Sequence, residues 1–423
     1  MDESDFRDEE VDTTTPQDQN EARASPSATA SSSSSTSPFE SPKEMRAVVF
    51  RRFGEPADVL ELIDDQPVPE PAKGEVLVHV FASSINPVDW KFVMGLLGWF
   101  APSPPYIPGS DVSGVVVKVG PGCTKFKVGD QVWGATGHDF AAFSDFITIP
   151  ESHISKKPHN QPHMAAATMP LVCLTAYQAL QKARLSSGQK LLVLGGSGGV
   201  GSAAVQLGKQ MGAYVAATCS SNNEDFVRSL GADHVVDYTT EDWSKVLSGQ
   251  NFDILLDTVG EANTWHRAHT VLKKSRGVFA TVVPTAASNL NFSNTNNSQQ
   301  QEQQKQQQKH HLMGVTTVLK EAGNFTKKKF WQAMGYLRYQ PIVVRPSGKD
   351  LERLAEIVES GALRPVVSKS YPMEQVRAAF EESKAGHVRG KLALVFQEED
   401  TPSSYSLGDD ETEAEPASSP LRA

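Results

Sequence analysis

The run GSGGVG, Gly196 to Gly201, spaces three glycines as G-x-G-x-x-G between the apolar LLVL and the alanine-rich SAAVQLGKQ. A strand, a turn without side chains and a helix, in that order, bring free backbone amides and the positive end of a helix dipole to one point. That is chemistry for a phosphate. Gly196 is expected to permit the tight turn, Gly198 to let the backbone approach a pyrophosphate, and Gly201 to let helix and strand pack closely. Ser197, Gly199 and Val200 complete the loop. The pattern alone is weak, but it opens a region of alternating strands and helices, and there it reads as a dinucleotide site.

The tip of the next strand carries the second piece of chemistry. It reads TCSSNNE, with Cys219, Ser220, Ser221 and Asn222 where an NAD site places an acid for the ribose 2′-hydroxyl. Without that acid, and with two hydroxyls able to donate, the tip favours a 2′-phosphate. Arg228 on the following helix is a candidate partner for it, against the plainer reading of a solvated helix residue, and Lys209 is a weaker one. NADPH is the expected cofactor.

The elements that must position these residues fall into two kinds. From residue 46 to about 165 the chain reads as strands and turns, among them MRAVVFRRFG, EVLVHVFASSIN and KVGDQVWGAT, which predicts a barrel-like or strongly bent sheet. From Met164 the texture changes to MAAATMPLVCLTAYQALQKA, then YVAATCSS, NEDFVRSLGA, HVVDY, FDILLDTVG, TWHRAHTVLKKS and GVFATVV. Strands alternating with helices across short loops predict a parallel sheet covered on both faces. The fold class is therefore α/β, a doubly wound Rossmann sheet beside a mostly β, partly barrel-like domain. DLERLAEIVESG predicts an amphipathic helix with Leu351, Leu354, Ile357 and Val358 on one side, PMEQVRAAFEES another, and GKLALVF a closing strand.

Composition sets outer limits. Residues 1–45 hold 11 acids against 3 bases and residues 397–423 hold 8 against 1, so the overall charge of -10 comes from the tails and residues 46–396 carry +5. A mildly basic body suits an anionic cofactor, and no dense basic-aromatic stripe points to nucleic acid. Residues 1–44 and 397–423 read as disordered acidic tails, and the Gln-rich 293–310 as a low-complexity surface insertion. No apolar run is long enough to span a membrane. The acidic start lacks the pattern of a signal or transit peptide, so the cytoplasm is the default address, with mitochondria the alternative. Cys123, Cys173 and Cys219 lie too far apart for a C-x-x-C metal site or a disulfide framework.

Eight stretches in order resemble the medium-chain dehydrogenase/reductases, and among them the zinc-free quinone oxidoreductase group: SSINPVDWK, PYIPGSDVSGVVVKVG, FKVGDQVWG, MPLVCLTAYQAL, GGSGGVGSAAVQLGK, SLGADHVVDY, FDILLDTVG and GHVRGKLALVF. The texture is that of the branch holding the mitochondrial reticulon-4-interacting oxidoreductases and the plant envelope quinone oxidoreductase homologues. The resemblance, spanning about 46–396, implies a GroES-like catalytic domain made of 45–170 and 345–396 and a cofactor domain over 171–344, with the active site in the cleft between them.

It also implies roles. Zinc-dependent relatives carry ligands where this chain has Asn86 or Pro87, Ser110 and Leu171, so no metal is expected. Without a metal, reduction is the plausible direction: hydride from NADPH to a quinone or an α,β-unsaturated carbonyl, whose product anion is delocalised. Asn86 is expected to donate its amide to substrate or nicotinamide, with Asp89 and Lys91 close by and Thr175 near the nicotinamide; Tyr177 reads as packing. Tyr238 is placed at the adenosine end, Val259 and Val282 (with Gly260 and Val283) beside the nicotinamide ribose, and Gly390 and Lys391 back at the cleft. No general acid is evident, so the proton is expected from water. Around Trp99 and Phe100 a substrate wall, a peripheral membrane contact and a homodimer contact compete. An enoyl-thioester reductase and an NADPH-binding scaffold or sensor with little turnover are the alternative functions.

Overall fold

The computed structural model describes residues 42–97, 102–137, 139–261, 263–282 and 337–397. Expectations placed on the tails, on Trp99 and Phe100, on Val283 and on 293–310 lie outside the described residues, except that the first strand already begins at Glu44. Strand β1 (Glu44–Phe50), helix α1 (Pro56–Val59) and β2 (Leu60–Pro67) open the chain, β1 and β2 pairing antiparallel. β3 (Glu75–Ile85), α2 (Pro87–Val93), β4 (Asp111–Val119), β5 (Gln131–Ala135), β6 (Phe146–Pro150) and β7 (Ile154–Lys156) follow. Then come α3 (His163–Ala167), α4 (Pro170–Ala183), β8 (Lys190–Leu194), α5 (Gly199–Gln210), β9 (Tyr214–Cys219), α6 (Glu224–Ser229) and β10 (His234–Asp237). α7 (Trp243–Val246), β11 (Ile254–Asp257), α8 (Thr264–Val271), β12 (Val278–Thr281) and β13 (Arg338–Pro341) complete the alternating region. α9 (Gly348–Glu359), β14 (Val367–Pro372), α10 (Val376–Ala385) and β15 (Lys391–Val395) close the described chain.

Strands β8 to β13 form a parallel sheet in the order β10-β9-β8-β11-β12-β13. The order reverses between β8 and β11, and at such a switch point the loops leaving the strand ends diverge and open a crevice. The glycine loop leaves β8 there. Fully buried Leu191, Leu192 and Val193 pack on both sides of the sheet, as a parallel strand covered on two faces requires. Helix α9 turns the expected stripe inward, with Leu351, Leu354, Ile357 and Val358 all buried.

The other sheet is built on β3, whose 11 residues let two strands share one of its edges. Glu75–His79 pair with β6, and Ala82–Ile85 pair with β15; β4 lies along the opposite edge. The order is β14-β15-β3-β4-β5-β7. The closing strand thus returns to the N-terminal sheet, with Leu392 opposite Ile85. Helix α2 departs from the all-strand expectation. Its signal is local: Asn86 at the N-cap, Pro87 in the first turn and Asp89 at the third position, whose carboxylate accepts from the Asn86 amide at 2.7 Å.

Candidate active site

The register of β3 against β15 sets the centre of the site. With Leu392 facing Ile85, the next residue back, Lys391, meets Asn86 at the point where β3 gives way to α2. The Lys391 ammonium donates to Asn86 Oδ1 and to the Ile85 carbonyl, both at 2.6 Å, and lies 3.7 Å from Asp111 Oδ2. The Asn86 Nδ2 donates to Asp111 Oδ2 at 2.7 Å and to the Ser84 carbonyl at 3.3 Å. The orientation of this amide is forced, because an ammonium can only donate and a carboxylate can only accept. Asp111 also accepts from the Ser84 hydroxyl at 2.6 Å and from the Leu171 amide at 2.7 Å. Lys391 is 6% exposed and Asp111 fully buried. Burial pushes the Lys391 ammonium below its ordinary value, against the pull of Asp111.

Asp89 forms the lower layer. Its carboxylate accepts from the Ser110 hydroxyl and from the Asn86 amide, each at 2.7 Å, while burial raises it from 3.8 to about 7. Asn86 therefore has no donor left over: both amide hydrogens point into the cluster, whereas the sequence reading expected one to reach substrate or nicotinamide. The expected neighbours divide. Asp89 joins the network. The Lys91 ammonium instead lies 5.2 Å from the Trp90 ring centre, with burial lowering its pKa. The Thr175 hydroxyl is donated one turn back along α4 to the Leu171 carbonyl at 2.6 Å. Asp111, the acid of the cluster, was not singled out from the sequence.

The glycine loop faces this cluster. Gly195 adopts the left-handed conformation at φ +80°, so the tight turn expected of Gly196 falls one residue earlier. Gly196 is needed for packing instead, because a Cβ there would lie 2.9 Å from the Ala217 Cβ and 3.2 Å from Val227. A Cβ on Gly201 would lie 1.9 Å from the Gly195 carbonyl oxygen, which fixes its helix–strand role. Gly198 is different, since a Cβ there would meet only the Gly195 oxygen, at 3.6 Å, with open space beyond. The Val200 and Gly201 amides of α5 precede the first intrahelical bond, from Ser202 to Gly198, while the parallel bridge of Gly198 with Gly390 turns the Gly199 amide toward the Gly390 carbonyl. On the Gly199 side the loop touches the closing segment: a Cβ there would meet the Lys391 stem at 2.9 Å. The Gly390 amide donates to the Ser197 carbonyl at 2.8 Å.

At the far end, Ser220 and Ser221 follow β9, and Tyr238, 52% exposed, follows β10 beside them. The nearby acids are spent, Glu224 on Arg228 at 2.7 Å and Asp237 on Thr239 and Thr240. Arg228 pairs with Glu224 on its own helix, and Lys209 pairs with Asp233 at the opposite end of α5 from the loop. The cation at the tip is Arg389, missed from the sequence. Its Nε donates to Asn223 Oδ1 at 2.8 Å, a terminal nitrogen donates to the Asn222 carbonyl at 3.2 Å, and the guanidinium stacks 5.1 Å over Phe226. Val259 and Val282 leave the ends of β11 and β12; Val259 is 47% exposed and its amide is fixed by Asp257 Oδ1 at 3.0 Å.

Two family models match, an alcohol dehydrogenase GroES-like domain over residues 72–159 and a zinc-binding dehydrogenase over residues 230–394. The chain is 34% identical over 343 residues to the NAD(P)H oxidoreductase RTN4IP1, mitochondrial, of Bos taurus, covering 76% of this chain and 81% of that one. It is 30% identical over 364 residues to the NADPH-dependent alkenal/one oxidoreductase, chloroplastic, of Arabidopsis thaliana, covering 84% and 80%. The quinone oxidoreductase structure from Coxiella burnetii superposes with a TM-score of 0.68 at 28% identity, covering 84% of this chain and all of that one. The chain belongs to the medium-chain dehydrogenase/reductases. As an oxidoreductase of that family it has a nicotinamide cofactor to hold, and the open space over Gly198, the free amides of α5 and the cation at the β9 tip fit one.

Zinc, which the name of one matching family model carries, fits less well. Of the residues that the resemblance sets at ligand positions, Ser110 donates to Asp89, Leu171 and Pro87 have no donor side chain, and Asn86 is held between Lys391 and Asp111. Cys173, two residues beyond Leu171, is buried, and burial pushes its thiol far above the usual range. Among the described residues no three His, Cys, Asp or Glu side chains are grouped to hold a metal ion. Nor, among them, is any helix long and apolar enough to cross a membrane.

Proposed function

We propose that this dehydrogenase/reductase uses NADPH to pass a hydride to a quinone or an α,β-unsaturated carbonyl, without a metal ion. The observation that carries the reading is the approach of Arg389 to a strand tip where Glu224 is paired with Arg228 and Asp237 accepts from Thr239 and Thr240. A guanidinium held there by neutral partners is suited to a 2′-phosphate, with Ser220 and Ser221 as further donors. The words NADPH-dependent and alkenal/one in the name of one relative support the same cofactor and acceptor class.

When bound, NADPH supplies the hydride. The chain's residues do the rest. The amides of Val200 and Gly201 receive the pyrophosphate at a helix N-terminus. Tyr238 flanks the adenosine, while Val259 and Val282 border the nicotinamide ribose. Asn86 and Asp89 set the floor of the reactive end, and the Lys391 charge favours negative charge as it builds on the acceptor oxygen. Trp90 and Tyr106, partly buried against Phe92, offer an apolar wall to a flat acceptor. The proton comes from water.

The test pairs calorimetric titration of NADPH and NADH with a turnover panel of quinones, enones and enoyl thioesters. NADPH binds more tightly, quinones or enones turn over, and Ser220→Asp weakens NADPH at least tenfold with little effect on NADH. Equal affinity for both cofactors sinks the cofactor assignment. Tight NADPH binding with no turnover on the panel sinks the reaction.

A further inference from the structure

Three consecutive residues touch all three parts of the site. Arg389 holds Asn222 and Asn223 at the β9 tip, the Gly390 amide holds the Ser197 carbonyl of the glycine loop, and Lys391 holds Asn86 at the reactive end. The link between them is stiff. Gly390 sits at φ +70° and pairs with Gly198 in an isolated parallel bridge; a Cβ on it would lie 2.3 Å from the Val366 carbonyl oxygen. The Lys391 amide donates to that same carbonyl at 2.9 Å. The segment therefore cannot take up movement at Arg389 by flexing beside Gly390, and the Lys391 stem against Gly199 leaves little slack beyond it.

Arg389 forms no ion pair among the described residues; its partners are an amide oxygen, a carbonyl and an aromatic ring. A 2′-phosphate adds a charge-assisted, two-pronged partner that the ribose hydroxyl of NADH does not. Only such a difference in interaction lets one cofactor favour an arrangement of the protein over another. We propose that Arg389-Gly390-Lys391 is a positioning strap: the 2′-phosphate, by fixing Arg389, favours the arrangement in which Lys391 holds Asn86 over others, so that it raises the rate of hydride transfer as well as cofactor affinity. Arg389 and Lys391 act here through Asn86 and the loop and do not touch the reacting atoms in this role. The inference rests on the NADPH reading above.

The experiment measures cofactor Kd and kcat at saturating NADPH and at saturating NADH, for the wild type, Arg389→Leu and Arg389→Lys, with thermal melting to confirm folding. In the wild type, kcat with NADPH exceeds kcat with NADH roughly tenfold, within the range of known coupling between sites. In Arg389→Leu that ratio falls to about one, and Arg389→Lys restores part of it. In Lys391→Arg, which keeps the charge but changes the reach to Asn86, the Arg389→Leu substitution changes the ratio less than in the wild type. If Arg389→Leu weakens NADPH binding but leaves the kcat ratio intact, Arg389 only binds and the strap is overturned while the NADPH reading stands. A wild-type kcat ratio near one, or an Arg389→Leu protein unchanged in both quantities, also overturns the strap. Equal wild-type affinity for the two cofactors overturns the underlying reading itself.

Discussion

Gly198 and Gly201 stand three residues apart in one loop, and the structure gives substitutions there different consequences. At Gly201 a methyl group would sit 1.9 Å from the Gly195 oxygen, 2.8 Å from the Gly195 carbonyl carbon and 3.0 Å from the Gly196 Cα. All three are backbone atoms of the turn between β8 and α5, so relief requires the strand end and helix start to separate by about 1 Å or more. Overpacking of that kind costs about 1–3 kcal/mol, and a carbonyl rather than a flexible side chain as the obstacle places it near the top of the range. The better helix propensity of alanine returns about 0.5–1 kcal/mol, leaving Gly201→Ala about 2 kcal/mol less stable. For an ordered body of about 300 residues, whose unfolding entropy grows with size, that lowers the Tm by about 3 °C. Gly198 has φ -77° and ψ 174°, extended backbone open to any residue, and only the Gly195 oxygen lies near its missing Cβ. Gly198→Val should melt within about 1 °C of the wild type, since substitutions free of a named strain usually stay within about 0.5 kcal/mol. Its side chain occupies the space over the α5 amides that the pyrophosphate needs, so NADPH affinity should fall at least a hundredfold. The assay is calorimetric NADPH titration beside differential scanning calorimetry for both variants. A Gly198→Val protein that binds NADPH with near-native affinity refutes the phosphate role of the loop, and a Gly201→Ala protein that melts like the wild type refutes the packing argument.

Two further predictions concern the buried cluster. Lys391→Met leaves Asp111 buried with only neutral donors and should cost about 3–5 kcal/mol in denaturant unfolding; an unfolding free energy unchanged within error would refute the charge pairing of Lys391 with Asp111. Asp89 has a folded pKa of about 7 against 3.8 as its ordinary value, so between those pH values the native state holds a proton that the unfolded state has lost, and its contribution to stability falls as pH rises. Asp89→Asn should therefore gain on the wild type by up to about 1.4 kcal/mol per pH unit across that window. Parallel stability curves for the two proteins from pH 4.5 to 7 would remove the assignment.

How much of this was legible in the sequence depends on whether its signal was local. The glycine loop, the alternation of strands and helices and the inward face of α9 each lie within one stretch of chain, and the structure follows them. Helix α2 was legible in principle from Asn86-Pro87-Val88-Asp89, but its 7 residues are too few for periodicity to stand out against the strands around it. The shift of the left-handed turn from Gly196 to Gly195 lay below what a glycine pattern resolves, since either residue could take it. Arg389 and Asp111 were not legible. Arg389 meets its partner 166 positions away and Asp111 meets Asn86 at a separation of 25, and both contacts exist only because sheet register and the return of β15 bring them together. The donor role expected of Asn86 failed for a related reason: a free amide in sequence becomes a spent one once a lysine 305 positions on faces it.

That spent amide also bears on why the cluster exists. A buried lysine–carboxylate pair is a poor source of stability, because desolvating both charges offsets most of their attraction. Here the two are not even in direct hydrogen-bond contact: 3.7 Å separates them, and Asn86 bridges the gap by accepting from one and donating to the other. A hydrophobic pair would fill the same volume at lower desolvation cost, but would leave no fixed charge beneath the N-terminus of α5. With Asp111 also satisfied by Ser84 and by the Leu171 amide, its charge is spread over several donors, while the Lys391 stem lies against Gly199. The positive end of the α5 dipole and the ammonium thus act on the same space from two sides. On the function proposed above, the phosphates of the cofactor would meet there a charge that the fold already holds in place, at a desolvation cost borne on folding.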